Sequence, residues 1–186
     1  MMPGLDLEQS LVDHLDTMQH LRALQQPLQA AIAMLRETFA RRGRVFVCGN
    51  GGSAADAQHF AAEFSGRYEK DRRGYPVLAL TTDTSAITAI GNDYGYEQVF
   101  ARQVQSVTLE GDVLIVISTS GNSSNLVAAV RQARSRGVQT LGLLGRDGGK
   151  LAAEVDLPLI VPAQRTARIQ EAHIFILHVV CEAFED

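Results

Sequence analysis

His59 and Glu63 lie four residues apart, a spacing that puts both side chains on one face of a helix. An imidazole and a carboxylate placed this way can share a metal ion or trade a proton. Such a pair is common by chance, so its position matters more than its existence. The segment that carries it begins at Gly49-Asn50-Gly51-Gly52-Ser53. Small residues there let backbone N–H groups approach an anion, and a helix start adds positive dipole. A second loop, Ser118-Thr119-Ser120-Gly121-Asn122-Ser123, offers hydroxyls on Ser118, Thr119, Ser120 and Ser123. This uncharged set of donors suits a phosphate monoester, whereas a helix cap alone would use one or two of them.

The C-terminal segment adds Gln170, Glu171, His173 and His178. Gln170 and His178 fall near one helix face but about 12 Å apart along the axis, at 1.5 Å per residue. They meet at one small site only by leaning together or by coming from different subunits. Among Ile174, Phe175, Ile176, Leu177, Val179 and Val180, His178 taken alone reads as a satisfied core histidine. His14 and His20, in a polar N-terminal stretch, read as surface residues.

Other motifs lead away from chemistry. Gly49, Gly51 and Ala54 formally match a dinucleotide fingerprint, but the acidic residue expected about twenty positions on, at the end of the second strand, is not cleanly placed, since Asp83 lies thirty from Ser53. Gly145 to Lys150 resembles a phosphate loop, yet it is one residue short and continues with Leu151, so it is no nucleoside triphosphate site. Cys48 and Cys181 are too few and too distant for a disulfide framework or a cysteine metal site, and Cys48 reads as a buried thiol. Asn122-Ser123-Ser124 is a glycosylation sequon in form only.

The net charge of −4 over 186 residues argues against a nucleic-acid surface. The basic clusters at Arg41, Arg42 and Arg44, at Lys70, Arg72 and Arg73, and at Arg131, Arg134 and Arg136 read as solvated helix ends. Met1 to Ser10 is acidic where a secretion leader is basic, and no apolar run approaches the length of a membrane span. A cytoplasmic domain with no membrane contact is expected.

The elements that position these residues alternate along the chain. Leu11, Leu15, Met18, Leu21, Leu24, Leu28, Ile32, Leu35 and Phe39 recur at helical steps, and Pro27 divides them into two helices that end at Gly43. Short apolar strands are expected at Val45–Cys48, Val77–Leu80, Val113–Ile117, Thr140–Leu144 and Leu157–Val161. Helices are expected after the glycine loop to Phe64, from Thr82-Asp83-Thr84 to near Gly91, over 96–107, from the Ser/Thr loop to Arg136, and from Thr166 to Phe184. Apolar strands separated by helices specify a doubly wound α/β domain with a parallel sheet covered on both faces. In such folds ligands bind beyond the carboxyl ends of the strands.

The strings Cys48 to Ser53, His59-Phe60-Ala61-Ala62-Glu63 with Gly66-Arg67-Tyr68, Gly91-Asn92-Asp93, Ile117 to Ser123, Asp147 to Lys150, and Arg168 to Glu171 with His178 together resemble the phosphoheptose isomerases, a family of sugar-isomerase (SIS) domains. The resemblance runs from the N-terminal arm to the last helix and departs at Ala54, Ala55 and Ala62. It implies one SIS domain over 1–186, flavodoxin-like with five parallel strands, in which 1–42 form a helical arm and 43–186 the α/β core. It implies a cytoplasmic homotetramer with active sites at subunit interfaces. The activity implied converts sedoheptulose 7-phosphate to D-glycero-D-manno-heptose 7-phosphate for lipopolysaccharide or surface-heptose synthesis.

Residue by residue, the resemblance assigns substrate contacts to Asn50, Gly51, Gly52, Glu63, Asn92, Asp93, Ser118, Thr119, Ser120, Ser123 and Gln170. It assigns one zinc per subunit to His59, Glu63, Gln170 and His178, and proton transfer to Glu63 and His178. The chemistry it implies moves a proton between C1 and C2 through an enediol, with Glu63 as base and His178 as acid. A non-catalytic relative, a scaffold for the replication initiator DnaA, is matched nearly as well over Ser53 to Ala62 but lacks the counterparts of Glu63 and His178.

Overall fold

The computed structural model describes residues 6–185, so Met1 to Leu5 of the acidic N-terminus and Asp186 lie outside the described residues. Two helices lead the chain, α1 (Leu7–His20) and α2 (Gln25–Ala40), joined by a short 3-10 turn. Asp6 caps α1 by accepting from the Gln9 N–H at 2.9 Å. Pro27 falls in the first turn of α2, where its missing N–H costs nothing. The turn that stops α2 differs from expectation. Arg42, not Gly43, is left-handed, at φ 62°, and Gly43 is required because a Cβ there would stand 2.6 Å from the Gly111 carbonyl oxygen.

The remainder alternates: β1 (Val45–Gly49), α3 (Gly52–Ser65), β2 (Val77–Ala79), α4 (Thr84–Tyr94), α5 (Val99–Val107), β3 (Val113–Ser118), α6 (Ser124–Ser135), β4 (Gln139–Gly145), α7 (Leu151–Glu154), β5 (Leu157–Val161) and α8 (Thr166–Glu182). Asp83 caps α4 through the Ala86 N–H at 2.9 Å, as its position suggested, and the helix runs past Gly91 to Tyr94. The single turn of α7 was not anticipated.

All five strands are parallel, in the order β2-β1-β3-β4-β5. Alternate residues face opposite layers. Val45, Val47, Val113, Ile115 and Leu143 pack under α2, α3 and α8 with Phe60, Phe64, Ile176 and Leu177, whereas Phe46, Cys48, Leu114, Val116 and Leu144 pack under α5 and α6 with Val104, Leu126 and Val130. The chain reverses its direction of travel across the sheet between β1 and β3, whose register pairs Gly49 with Ile117. The glycine loop and the Ser/Thr loop therefore leave adjacent strands on the same edge of the sheet, at the switch point. Among the described residues, no helix is long and apolar enough to cross a membrane.

The basic clusters are not all solvated, contrary to expectation. Arg44 pairs with Asp112 at 2.8 Å, where the carboxylate is buried, and Arg72 pairs with Glu185 at 3.2 Å with both side chains nearly buried. Arg131 does sit on the surface, bonded to Glu154.

Candidate active site

The glycine loop turns on Gly51, whose φ of +57° favours glycine, and α3 begins at the next residue. Nothing lies within 4 Å of the place a Gly51 Cβ would occupy, whereas one on Gly52 would collide with the side-chain amide of Gln170. Gln170 thus lies across the start of α3. Asn50 points to the neighbouring loop. Its amide exchanges two hydrogen bonds with that of Asn125, both at 2.9 Å, and its Oδ1 also accepts from the Tyr96 hydroxyl at 3.0 Å. Asn125 is buried in the first turn of α6 and locks the two loops together.

In the Ser/Thr loop, the buried Ser118 hydroxyl accepts from the Gly121 N–H at 3.0 Å and shapes the turn. Ser120 Oγ makes a longer contact, 3.3 Å, with the Asn122 N–H. Thr119 is half-buried, and its carbonyl oxygen would stand 2.7 Å from a Cβ on Gly145. Ser123 precedes α6 without capping it through its hydroxyl. The N-terminus of α6 thus opens directly at the Ser/Thr loop, which suits a phosphate without a basic side chain. The loop is braced from behind: Gly121 packs on the Gly148 carbonyl, and Asn122 Oδ1 accepts from the Lys150 N–H at 3.1 Å. Residues 145–150 thus support the candidate phosphate loop. Asn92 and Asp93 are exposed near the end of α4 and bond each other at 2.8 Å. Tyr96, two residues past the end of α4, is the nearby side chain that reaches the glycine loop, at Asn50.

Deeper along α3, His59 Nε2 lies 3.1 Å from Glu63 Oε1 and 3.3 Å from His178 Nε2, so three of the expected residues meet. The Tyr68 ring packs on His178 with centroids 5.7 Å apart. Gly52 meets Gln170, and His59 meets His178 seven and eight residues later, so α3 and α8 run side by side in parallel. Gln170 and His178 consequently meet α3 at two different levels instead of converging within the chain. One turn before His59, Asp56 buries Oδ2 with no hydrogen-bond partner. Burial holds its carboxyl above the usual range, and His59 draws it back down.

His178 is half-buried and available, so the core histidine is His173. It is fully buried, its Nε2 lies 3.0 Å from the Leu144 carbonyl oxygen, and burial lowers its pKa to about 4. His20 is exposed, as expected, but His14 is not a simple surface residue. His14 Nδ1 lies 2.8 Å from Glu171 Oε2 and helps pin α1 to α8, together with the Asp13–Arg165 pair. Cys48 is buried and its thiol is pushed far up by burial.

His59, Glu63 and His178 supply nitrogen and oxygen donors that zinc accepts, and donors bound about 2 Å from a tetrahedral ion stand about 3.3 Å from one another. Both contacts of His59 have about that length, so the donor types and the two spacings at His59 suit the ion. Among the described residues, however, no three or more His, Cys, Asp or Glu side chains are grouped as a ready-made cage. Gln170, the fourth expected ligand, lies over Gly52.

The profile of the SIS domain family matches residues 12–145. A phosphoheptose isomerase from Aliarcobacter butzleri is 54% identical over 166 residues, covering 89% of this chain and 88% of that protein. The solved structure of a phosphoheptose isomerase from Neisseria gonorrhoeae superposes with a TM-score of 0.90 at 46% identity, covering 95% of each chain. A phosphoheptose isomerase from Francisella tularensis superposes at 0.93 with 35% identity, covering 96% of each. With its glycine and hydroxyl loops meeting at the switch point and an imidazole–carboxylate pair on the helix that follows, the chain belongs to the SIS domain family and, within it, to the phosphoheptose isomerases.

Proposed function

We propose that this protein interconverts sedoheptulose 7-phosphate and D-glycero-D-manno-heptose 7-phosphate, an aldose–ketose isomerisation that serves heptose synthesis. The observation that carries this reading is the contact of His59 with both Glu63 and His178, on the helix that starts at the glycine loop. The phosphate would rest on Ser118, Thr119, Ser120 and Ser123, with the sugar chain held along Asn50, Gly51, Gly52, Asn92, Asp93 and Gln170. Anchoring the distant phosphate orients the small reacting end. Glu63 then takes the proton from C1 of the ketose while His178 protonates the oxygen on C2, which gives the enediol. Return of the carbon-bound proton to C2, with loss of the O1 proton, gives the aldose.

Zinc, proposed at one per chain, would be held by His59, Glu63 and His178, with Gln170 as fourth ligand if its amide leaves Gly52. When bound, it supplies Lewis-acid polarisation of the carbonyl oxygen. A cytoplasmic homotetramer with sites at subunit interfaces completes the proposal, and the exposed apolar face of α1 supports it.

The test is to incubate purified protein with sedoheptulose 7-phosphate and assay for the aldose. A protein that isomerises no sugar phosphate would overturn this reading and restore the DnaA-scaffold alternative.

A further inference from the structure

The loop that leaves α3 returns to the sheet through residues 66–76 and carries Arg72, whose side chain is 9% exposed. A guanidinium held so deeply needs partners for its N–H groups. Nη2 donates to the Glu63 carbonyl at 2.9 Å, Nη1 to the Phe64 carbonyl at 3.1 Å, and Nε to Glu185 Oε1 at 3.2 Å. The group also lies over the rings of Phe64 and Tyr75, 5.7 and 5.1 Å from their centroids. Glu185 is equally buried, and its other oxygen accepts from the N–H groups of Glu69 and Lys70 at 3.1 and 2.5 Å.

The two capped carbonyls are among the last four of α3, which the helix cannot satisfy itself, and a cation there complements the helix dipole. One of them belongs to Glu63. Glu185 stands three residues beyond the end of α8, the helix that bears His178. One buried ion pair therefore ties the C-terminal turn of the His59–Glu63 helix to the end of the His178 helix. Cys181, one turn beyond His178, is buried in the same region, and its thiol is pushed up to about 12 by burial and then by Glu63.

We propose that Arg72 and Glu185 are positioning residues for proton transfer, a clamp that fixes the Glu63 carboxylate relative to His178. The proposal rests on the isomerase reading of those two groups. It explains why a charged pair occupies a nearly buried position in which apolar residues of similar size would ordinarily serve stability as well.

The experiment compares Arg72→Ala, Arg72→Lys, Glu185→Gln and, as control, Arg41→Gln, whose exposed pair with Glu37 joins neither α3 nor α8. Misplacement by about 1 Å can cost on the order of 10²-fold in rate, so kcat of Arg72→Ala should fall roughly 10- to 100-fold with KM nearly unchanged. Arg72→Lys should stay impaired, because an ammonium cannot fork to two carbonyls and a carboxylate. Arg72 also lines an open cavity of about 720 Å³ with Phe39, Arg42, Arg73 and Tyr75, so its removal leaves a space that a small cation can enter. Millimolar methylguanidinium should therefore restore part of the kcat of Arg72→Ala and leave Arg41→Gln unaffected.

Wild-type kcat in Arg72→Ala, or a KM rise as large as the kcat loss, overturns the clamp. If that variant does not fold, Glu185→Gln carries the same split. If the wild type makes no aldose, the isomerase reading fails, and the imidazole NMR signals of His59 and His178 decide the clamp separately. Signals moved in the clamp variant relative to wild type sustain it, and signals unmoved overturn it.

Discussion

The Glu63 side chain is 23% exposed, shielded enough to keep one geometry yet open to a substrate. The amide in Glu63→Gln keeps the shape and the contact with His59 but cannot take a carbon-bound proton. Its kcat should fall by on the order of 10²–10⁴ with KM little changed, as general acid–base removal gives. His178→Gln should behave similarly, and the double variant should lose far less than the product, since both serve one proton-transfer sequence. A Glu63→Gln enzyme with more than about a tenth of wild-type kcat would move the base elsewhere. Asn125 makes a different prediction. It holds Asn50 across 75 positions of sequence, so Asn125→Ala should raise KM for the sugar phosphate more than it lowers kcat. Steady-state kinetics separates the two outcomes. His59 and Glu63 were legible in sequence because helical spacing is local. Asn125 and Tyr96 were not, because only the sheet register brings their loops to Asn50. The histidines of α8 were half legible: buried Ile169, Ala172, Ile176, Leu177 and Val180 mark a stripe that includes His173 and passes beside His178. That phase, followed along the helix, identifies the core histidine correctly.

Among the elements, the Ser/Thr loop depends on a neighbour that itself binds nothing in this reading. Gly121 has φ +63°, and its missing side chain leaves room for the Gly148 carbonyl, so Gly121→Ala is strained in backbone and in space at once. It should cost about 1–3 kcal/mol, lower Tm by several degrees and raise KM, as thermal melts and initial rates would show. Unchanged melting would mean that the two loops adjust freely. The strands were legible because their apolar runs are bounded by turn residues, and the parallel order follows from the alternation with helices. The four residues of α7 offer no periodicity to read. Arg72 was misread for a different reason. A cluster with Lys70 and Arg73 has the composition of a solvated patch, and nothing in sequence shows that Glu185 returns to meet it.

For the molecule as a whole, stability should fall in acid through His173. Burial holds its ring at a pKa of about 4, below the ordinary 6.5, against the opposing hydrogen bond to the Leu144 carbonyl, and Nδ1 has no partner that would receive a second N–H. The unfolded chain takes up that proton first as pH drops. The contribution is therefore complete above about pH 6.5 and is lost progressively toward pH 4, a change on the order of 3 kcal/mol. Urea midpoints across that window should decline, and less steeply in His173→Leu; equal slopes would assign the acid loss to other groups.

Assembly is the other property of the whole molecule. On α1, Ser10, Asp13 and His14 are fastened to α8, while Leu7, Leu11, Val12 and Leu15 stand 47–62% exposed on the remaining surface. A helix that commits one side to its own chain and leaves an apolar stripe on another is built to be covered. Nearby, Phe175 is half-exposed at the rim of an apolar groove of about 480 Å³ lined by Met18, Leu24, Leu28 and Ile32. Two such regions permit two self-complementary interfaces, the requirement for a dihedral tetramer. Light scattering should give a mass near four chains of 20.2 kDa. Leu11→Glu with Leu15→Glu should reduce the assembly while leaving the circular-dichroism spectrum intact, because neither side chain belongs to the core. If subunit interfaces complete the active site, the smaller species should lose activity in proportion to dissociation. A wild-type mass of one chain would leave the exposed stripe without a partner and confine the site to the residues that a single chain brings together.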